Sequence, residues 1–154
     1  MSSAPTKLEM RTAMATDMPQ IVALYAHLSP EDTPCPLPVA QENFAQFQRL
    51  APSAVFVGEQ NDMLVTSCVL VIVPNLSRGG RPYGLIENVV THKAFRNRGF
   101  GKHILDTACD HAWAHGCYKV MLMTGSQRPS TLRFYENAGF AQTKTGYQKR
   151  AVGF

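Results

Sequence analysis

Arg96-Asn97-Arg98-Gly99-Phe100-Gly101-Lys102 follows closely on an apolar, strand-like run, Leu85-Ile86-Glu87-Asn88-Val89-Val90, and opens an amphipathic helix. Strand, short glycine-rich turn and helix, in that order, aim several unpaired N–H groups at one place, as phosphate binding requires. The two glycines let a pyrophosphate approach the main chain with no Cβ in the way. Lys93, Arg96, Arg98 and Lys102 surround the turn, which fits an anionic ligand. Spacing excludes two common phosphate loops. A Rossmann fingerprint needs a third small residue three positions after Gly101, where Ile104 stands. A Walker A loop needs glycine five residues before Gly101 and Ser or Thr after Lys102, where Arg96 and His103 stand. What remains is Arg-x-x-Gly-x-Gly.

A chain of 154 residues is expected to form a single domain over 1–154, with a flexible leader over 1–6 that lacks the apolar core of a secretory signal. Hydrophobic residues at 45% and charged residues at 17% describe an ordinary globule, and no apolar run approaches the ~20 residues a membrane span needs. Cys35, Cys68, Cys109 and Cys117 are scattered, with no Cys-x-x-Cys pair, which argues against a disulfide framework or zinc site and for the cytoplasm. Charge is uneven: residues 1–77 carry net −4 and residues 78–154 net +8. The cations gather around a glycine turn rather than along a helix face with interleaved aromatics. That favours a small polyanion over nucleic acid.

Periodicity predicts a strand over 8–13, then a helix capped by Thr16 or Asp17 that runs to about Leu28 with Met18, Ile21, Leu24, Tyr25 and Leu28 on one face. Four prolines make 29–38 a loop, and a second helix follows over about 39–50. Residues 54–59 and 63–73 read as a hairpin, 74–82 as a loop and 83–91 as a strand. The helix of the glycine turn runs from about Gly99 to His115, with Phe100, Ile104, Leu105, Ala108, Cys109, Ala112 and Trp113 at apolar spacing. A short strand (119–123), a short helix (131–138) and one or two final strands (140–149) complete the chain. The expected class is α/β, a mixed central sheet with helices on both faces.

This element order and Arg-x-x-Gly-x-Gly, together with Phe134-Tyr135-Glu136-Asn137-Ala138-Gly139-Phe140, resemble the GNAT superfamily of acetyl-CoA-dependent N-acetyltransferases. The resemblance is firm over 83–140 and rests on element order elsewhere. It implies the GNAT-type acyl-CoA N-acyltransferase fold, and acetyl-CoA as co-substrate with no metal. It also implies a pyrophosphate site at Arg96, Asn97, Arg98, Gly99, Phe100, Gly101 and Lys102. The pantetheine arm would add to strand residues Val89, Val90 and Thr91. The family often has Asn seven residues before its tyrosine, where it contacts that arm. Arg128 stands there instead, either reaching a phosphate or marking a loop that runs differently.

Acetyl transfer to an amine needs a base for the ammonium, an oxyanion donor and an acid for the departing sulfur. Glu87 is the candidate base: it is the sole carboxylate between Asp62 and Asp106 and lies in an apolar strand, where a carboxylate without a task is costly to bury. A strand N–H near 88–90 is the candidate oxyanion donor, and Tyr135 the candidate acid by family resemblance. His111 and His115, spaced i, i+4, read as a solvated helix end rather than a metal pair, since no third ligand is near in sequence.

The expected acceptor is a small primary amine or the exposed amino group of a peptide, with no nucleic acid or membrane partner. Ile86-Glu87-Asn88-Val89-Val90 and Gly116-Cys117-Tyr118-Lys119 are similar to amino-sugar-phosphate N-acetyltransferases of the glucosamine-phosphate type, although Asn88 replaces an acid usual there. A non-catalytic acyl-CoA sensor is the rival from another class, and it would need neither Glu87 nor Tyr135. The family resemblance also implies a possible homodimer.

Overall fold

The structure, a computed structural model, describes residues 7–154; the leader expected over 1–6 lies outside them. They form two compact units, one ending at Leu122 and the other comprising Met123–Phe154.

The first unit contains β1 (Glu9–Thr12), α1 (Met18–Tyr25), α2 (Leu37–Gln48), β2 (Ala54–Gln60), β3 (Met63–Val73), β4 (Tyr83–Thr91), α3 (Phe100–Ala114) and β5 (Val120–Leu122). The strands form one sheet in sequence order, antiparallel from β1 to β4, with β5 parallel to β4. Parallel neighbours need a crossover, and α3 supplies it. The β2–β3 hairpin turns at Asn61 and Asp62, with φ of 53° and 58° and Gln60 opposite Met63. Both turn residues are left-handed, as a two-residue type I′ hairpin requires, and Asn and Asp tolerate that region.

Alternation along the strands assigns the two faces. Val57 and Leu64 point towards α1 and α2, where they join Met18, Ile21 and Phe44 in a buried cluster. The opposite face receives α3, whose Ile104, Leu105, Ala108 and Ala112 are wholly buried. Each fully buried Leu or Ile contributes about 1.5–3 kcal/mol, so this stripe anchors the helix that carries the glycine turn. The mixed sheet with helices on both faces matches the sequence-based expectation.

Some boundaries differ from that expectation. α1 ends at Tyr25, and Leu28 beyond it is exposed. α2 begins at Leu37 because Pro38 fits the first turn, where its missing N–H has no helical acceptor to lose. Trp113 is half exposed, one step off the stripe set by Ile104, Ala108 and Ala112.

A charged network fixes the entry to α1. Arg11 Nη1 and Nη2 donate to Asp17 Oδ2 and Oδ1 at 2.7 and 2.9 Å, and Arg11 Nη2 and Nε donate to Glu59 Oε2 at 2.7 and 3.0 Å. Met14 N–H also donates to Asp17 Oδ2 at 2.7 Å. The Arg11 hydrogen bonds hold the Asp17 carboxyl below its ordinary range, against the opposing effect of burial.

The second unit holds α4 (Pro129–Asn137). Its C-terminus closes as a Schellman motif: Gly139 N–H donates to the Glu136 carbonyl at 2.9 Å and Phe140 N–H to the Tyr135 carbonyl at 3.0 Å, with Gly139 at φ 89°. The final strands expected over 140–149 are not formed; this stretch is irregular. Phe140 and Tyr147 are its only large apolar side chains, and Tyr147 is 93% exposed. The segment therefore buries no alternating face that would hold it in a ladder. Among the described residues no helix is long and apolar enough to cross a membrane.

Candidate active site

Between β4 and α3 the chain turns sharply. His92 Nδ1 accepts the Ala94 N–H at 3.1 Å, and Lys93–Phe95 form one 3₁₀ turn. Asn97 (φ 61°) and Gly99 (φ 79°, ψ 3°) are both left-handed. Gly99 is the N-cap of α3, and the first bond of the helix runs from His103 N–H to the Gly99 carbonyl at 3.0 Å. The N–H groups of Phe100, Gly101 and Lys102 therefore have no intrahelical acceptor. A Cβ built at Gly99 meets nothing within 4 Å, so this side of the turn faces open space. Phe95 stacks on Phe100 at 6.4 Å and supports the turn from within.

The cations around the turn divide into two kinds. Arg96 is turned back into the protein, with Nε donating to the Thr91 carbonyl at 3.1 Å and Nη2 to the His27 carbonyl at 3.0 Å. It ties the end of α1 to the end of β4. Lys102 Nζ pairs with Asp106 at 2.6 Å, one turn along α3. Arg98 lies over the Phe95 ring at 5.0 Å and is otherwise exposed. The ring of His27 lies 4.1 Å from that of His92. Desolvation, then the charges of His92, Lys93 and Arg96, hold the His27 imidazole below its ordinary value.

β4 forms the floor of the site. Its ladder with β5 ends at the Ile86–Leu122 pair, whereas its ladder with β3 continues to Thr91. From Glu87 onward the β5-side edge of β4 is unpaired among the described residues. Within this stretch two β4 residues, Asn88 and Val89, oppose the single β3 residue Cys68, a β-bulge with Asn88 at φ 52°. Beyond it, His92 N–H donates to the Val65 carbonyl at 2.8 Å, so Thr91 directs its main-chain groups to the free edge. Val90 is buried, and its carbonyl accepts the Thr66 hydroxyl at 2.9 Å. The Thr91 hydroxyl lies 3.0 Å from that of Thr66.

Glu87 and Asn88 are exposed, although β4 has strands on both sides. Their exposure begins where the ladder with β5 ends, so this part of β4 is open to solvent. This corrects the sequence argument for Glu87: its carboxylate is not buried, and its case rests on position at the bulge. Tyr25 of α1 hydrogen-bonds the Asn88 side chain, and burial raises its phenol above the ordinary value. Sequence reasoning missed the bulge and Tyr25. The available signal was Asn88 itself, the one residue of an otherwise β-favouring run that readily takes positive φ.

In the second unit, Arg128 is the exposed N-cap of α4, and its N–H donates to Ser126 Oγ at 3.3 Å. Tyr135 is half-buried, its ring edge-on to Phe134 at 4.9 Å and to Phe140 at 6.4 Å. The latter is the apolar contact that accompanies a Schellman closure, so helix termination fixes the tyrosine ring. His111 Nε2 lies 2.7 Å from the Pro52 carbonyl, and no cluster of three or more His, Cys, Asp or Glu is found among the described residues.

The family model described as the Acetyltransferase (GNAT) family matches residues 21–140. The chain belongs to the GNAT acetyltransferase family. It is an acetyl-CoA-dependent N-acetyltransferase by that membership. It is 34% identical over 135 residues to the glucosamine 6-phosphate N-acetyltransferase of Trypanosoma brucei brucei, covering 86% of this chain and 88% of that one. A probable glucosamine 6-phosphate N-acetyltransferase 2 of Oryza sativa subsp. japonica is 32% identical over 145 residues, covering 88% and 82%. Among solved structures, a putative acetyltransferase from Agrobacterium tumefaciens str. C58 superposes with a TM-score of 0.88 at 41% identity, covering 93% of this chain and 99% of that one.

Proposed function

We propose that this acetyltransferase modifies the amino group of a phosphorylated amino sugar at the β4 bulge. The observation that carries the reading is the exposed Glu87–Asn88 pair, placed where β4 parts from β5. A carboxylate at that point gives an ammonium group a partner and a proton acceptor. The glucosamine 6-phosphate N-acetyltransferases related over most of this chain support a sugar phosphate as the acceptor.

The residues present fit acetyl-CoA. The unsatisfied N–H groups at the start of α3 and the open side of Gly99 suit a pyrophosphate, with Asn97, Arg98, Gly99, Phe100, Gly101 and Lys102 as its cradle. Arg96 shapes that loop from behind, through the Thr91 and His27 carbonyls. The unpaired edge at Val89, Val90 and Thr91 offers strand-like hydrogen bonding to an extended amide chain. Arg128, seven residues before Tyr135, is a further candidate cofactor contact by its place in the sequence.

Glu87, directly or through a water, takes a proton from the acceptor ammonium, and the free amine attacks the thioester carbon in a ternary complex. A main-chain N–H at the bulge donates to the oxyanion. As the C–S bond breaks, Tyr135 donates a proton to the sulfur, a role carried from the family's Phe-Tyr-Glu stretch. Retention of both groups argues against a mere acyl-CoA sensor. The four free cysteines agree with a reducing cytoplasm. A homodimer belongs to the same proposal, since Tyr147, Val152 and Phe154 are each at least 90% exposed and offer apolar surface to a second copy.

The test is a competition among glucosamine 6-phosphate, glucosamine and a peptide with a free N-terminus, with products identified by mass spectrometry. Preferential N-acetylation of the sugar phosphate is expected. Preference for the peptide amine would overturn the acceptor assignment.

A further inference from the structure

His92 closes the turn that leads from β4 to the glycine loop, using main chain and side chain together. Its N–H donates to the Val65 carbonyl at 2.8 Å, which fixes it to β3. Its carbonyl accepts the Phe95 N–H at 2.8 Å, and its ring Nδ1 accepts the Ala94 N–H at 3.1 Å. The 3₁₀ turn Lys93–Phe95 thus takes its cap from an imidazole rather than from the Ser, Thr, Asp or Asn usual at such a position. An imidazole can do this in one state alone. Nδ1 accepts while its lone pair is free, so the ring is neutral with its proton on Nε2. Imidazolium carries N–H at both positions and has no acceptor to offer.

What this cap holds reaches the phosphate side of the loop. Phe95, the last residue of the 3₁₀ turn, meets the His92 ring edge-on at 5.5 Å and stacks on Phe100 at 6.4 Å. Phe100 is the first residue of α3, and its N–H is among those left without a helical acceptor. Arg98 lies over the same Phe95 ring at 5.0 Å. The titratable and charged groups around His92 are His27, two residues past α1 with its ring 4.1 Å away, and Lys93 and Arg96 of the turn itself. From β3 the neighbour is the Val65 main chain. All three side chains are cationic in acid, and no ion pair among the described residues brings a carboxylate within 4 Å of either histidine.

We propose that His92 is a positioning residue of the cofactor loop that works only as the neutral imidazole, so that binding of the CoA diphosphate excludes a proton from it. The role rests on the reading of the glycine turn as the pyrophosphate cradle. A loop competent for phosphate needs the capped turn, and the capped turn needs an unprotonated ring. Protonation therefore lowers the competent fraction, and the apparent affinity falls with it. Direct attraction gives the opposite sign: a histidine that touched the phosphates as a cation would bind them more tightly in acid.

Calorimetric titration of the full chain with dephospho-CoA tests this between about pH 5.5 and 8, the range in which histidine ordinarily changes charge. This ligand keeps the diphosphate and lacks the phosphomonoester, whose own ionisation at about pH 6 would otherwise enter the profile. The wild type is expected to bind about threefold to tenfold more weakly at the acid end, as loss of one cap implies. His92→Asn, whose amide oxygen accepts the same N–H and does not titrate, should hold the alkaline affinity across the range. His92→Leu should bind weakly throughout. His27→Gln should keep the wild-type slope, since Arg96 bonds the carbonyl of that residue and not its ring. A slope that survives in His92→Asn, or vanishes in His27→Gln, overturns the role of His92 and leaves the cradle intact. Tighter binding of the wild type in acid would make a histidine a direct phosphate contact and refute the proposal. A wild type that fails to bind dephospho-CoA at any pH overturns the cradle and this role together.

Discussion

Replacing Gly99 by Ala separates two roles of the glycine turn that usually change together. Gly99 sits at φ 79°, where an L side chain costs about 1–2 kcal/mol. A Cβ there meets no protein atom within 4 Å, so the added methyl causes no internal clash. Stability should fall only by the strain, a Tm drop of about 2–8 °C at roughly 2–4 °C per kcal/mol for a chain of this size. The methyl instead projects into the space reserved for the pyrophosphate. Displacing the ligand from even one N–H forfeits a charge-assisted hydrogen bond of about 1.5–3 kcal/mol. The dissociation constant for CoA should therefore rise by about tenfold to a hundredfold. Calorimetric titration with CoA, paired with a thermal melt, reads both quantities on one sample. A Tm lowered as expected with unchanged affinity would show that Gly99 merely shapes the turn and that the phosphates bind elsewhere.

Tyr135→Phe should lower kcat by about a hundredfold or more, as loss of a general acid does, with a much smaller change in acetyl-CoA affinity; stopped-flow thiol release separates the two. Glu87→Gln should cut kcat/KM for the amine and flatten the acidic limb of its pH profile, and an unaltered limb would remove Glu87 as the base. Asp17→Asn should destabilise the fold by about 2–4 kcal/mol in urea unfolding at neutral pH, a little under the range for a fully buried pair because Arg11 keeps some exposure. Because the folded Asp17 carboxyl is held below its reference value of 3.8, its contribution is complete above that pH and lost as pH falls through the folded value. The gap between wild type and variant should therefore close in acid. Burial pushes the Cys68 thiol up to about 12 and Cys109 to about 11, whereas Cys35 is exposed. A brief iodoacetamide pulse at neutral pH, followed by mass spectrometry, should accordingly label Cys35 and spare the other two.

Where local chemistry settles the backbone, the structure could be read in advance. Asn61-Asp62 between two β-rich runs specified the hairpin, and the strand–Gly99–helix sequence specified the turn and α3. Mixed strand direction followed from the order of the elements. The failures lie where a tertiary partner decides. Sequence places Arg96 and Lys102 beside the turn but does not give their partners: Arg96 donates to carbonyls of distant segments, and Lys102 pairs along its own helix. Glu87 read as buried because its neighbours in sequence are apolar; no sequence pattern says that this part of β4 is open to solvent. The bulge was missed because a period-two pattern conceals one extra residue, although Asn88 marked the place. The stretch 140–149 has turn-tolerant and β-tolerant residues in equal measure, and without an apolar face nothing local decides between them.

The central claim is that the N–H groups at the start of α3 and the unpaired edge of β4 hold acetyl-CoA. Amide chemical-shift mapping of ¹⁵N-labelled protein titrated with CoA tests it most directly. The account predicts saturation at one equivalent, with the largest shifts at residues 99–102 and at Thr91. Saturable binding that leaves those amides unmoved and shifts another surface would contradict it.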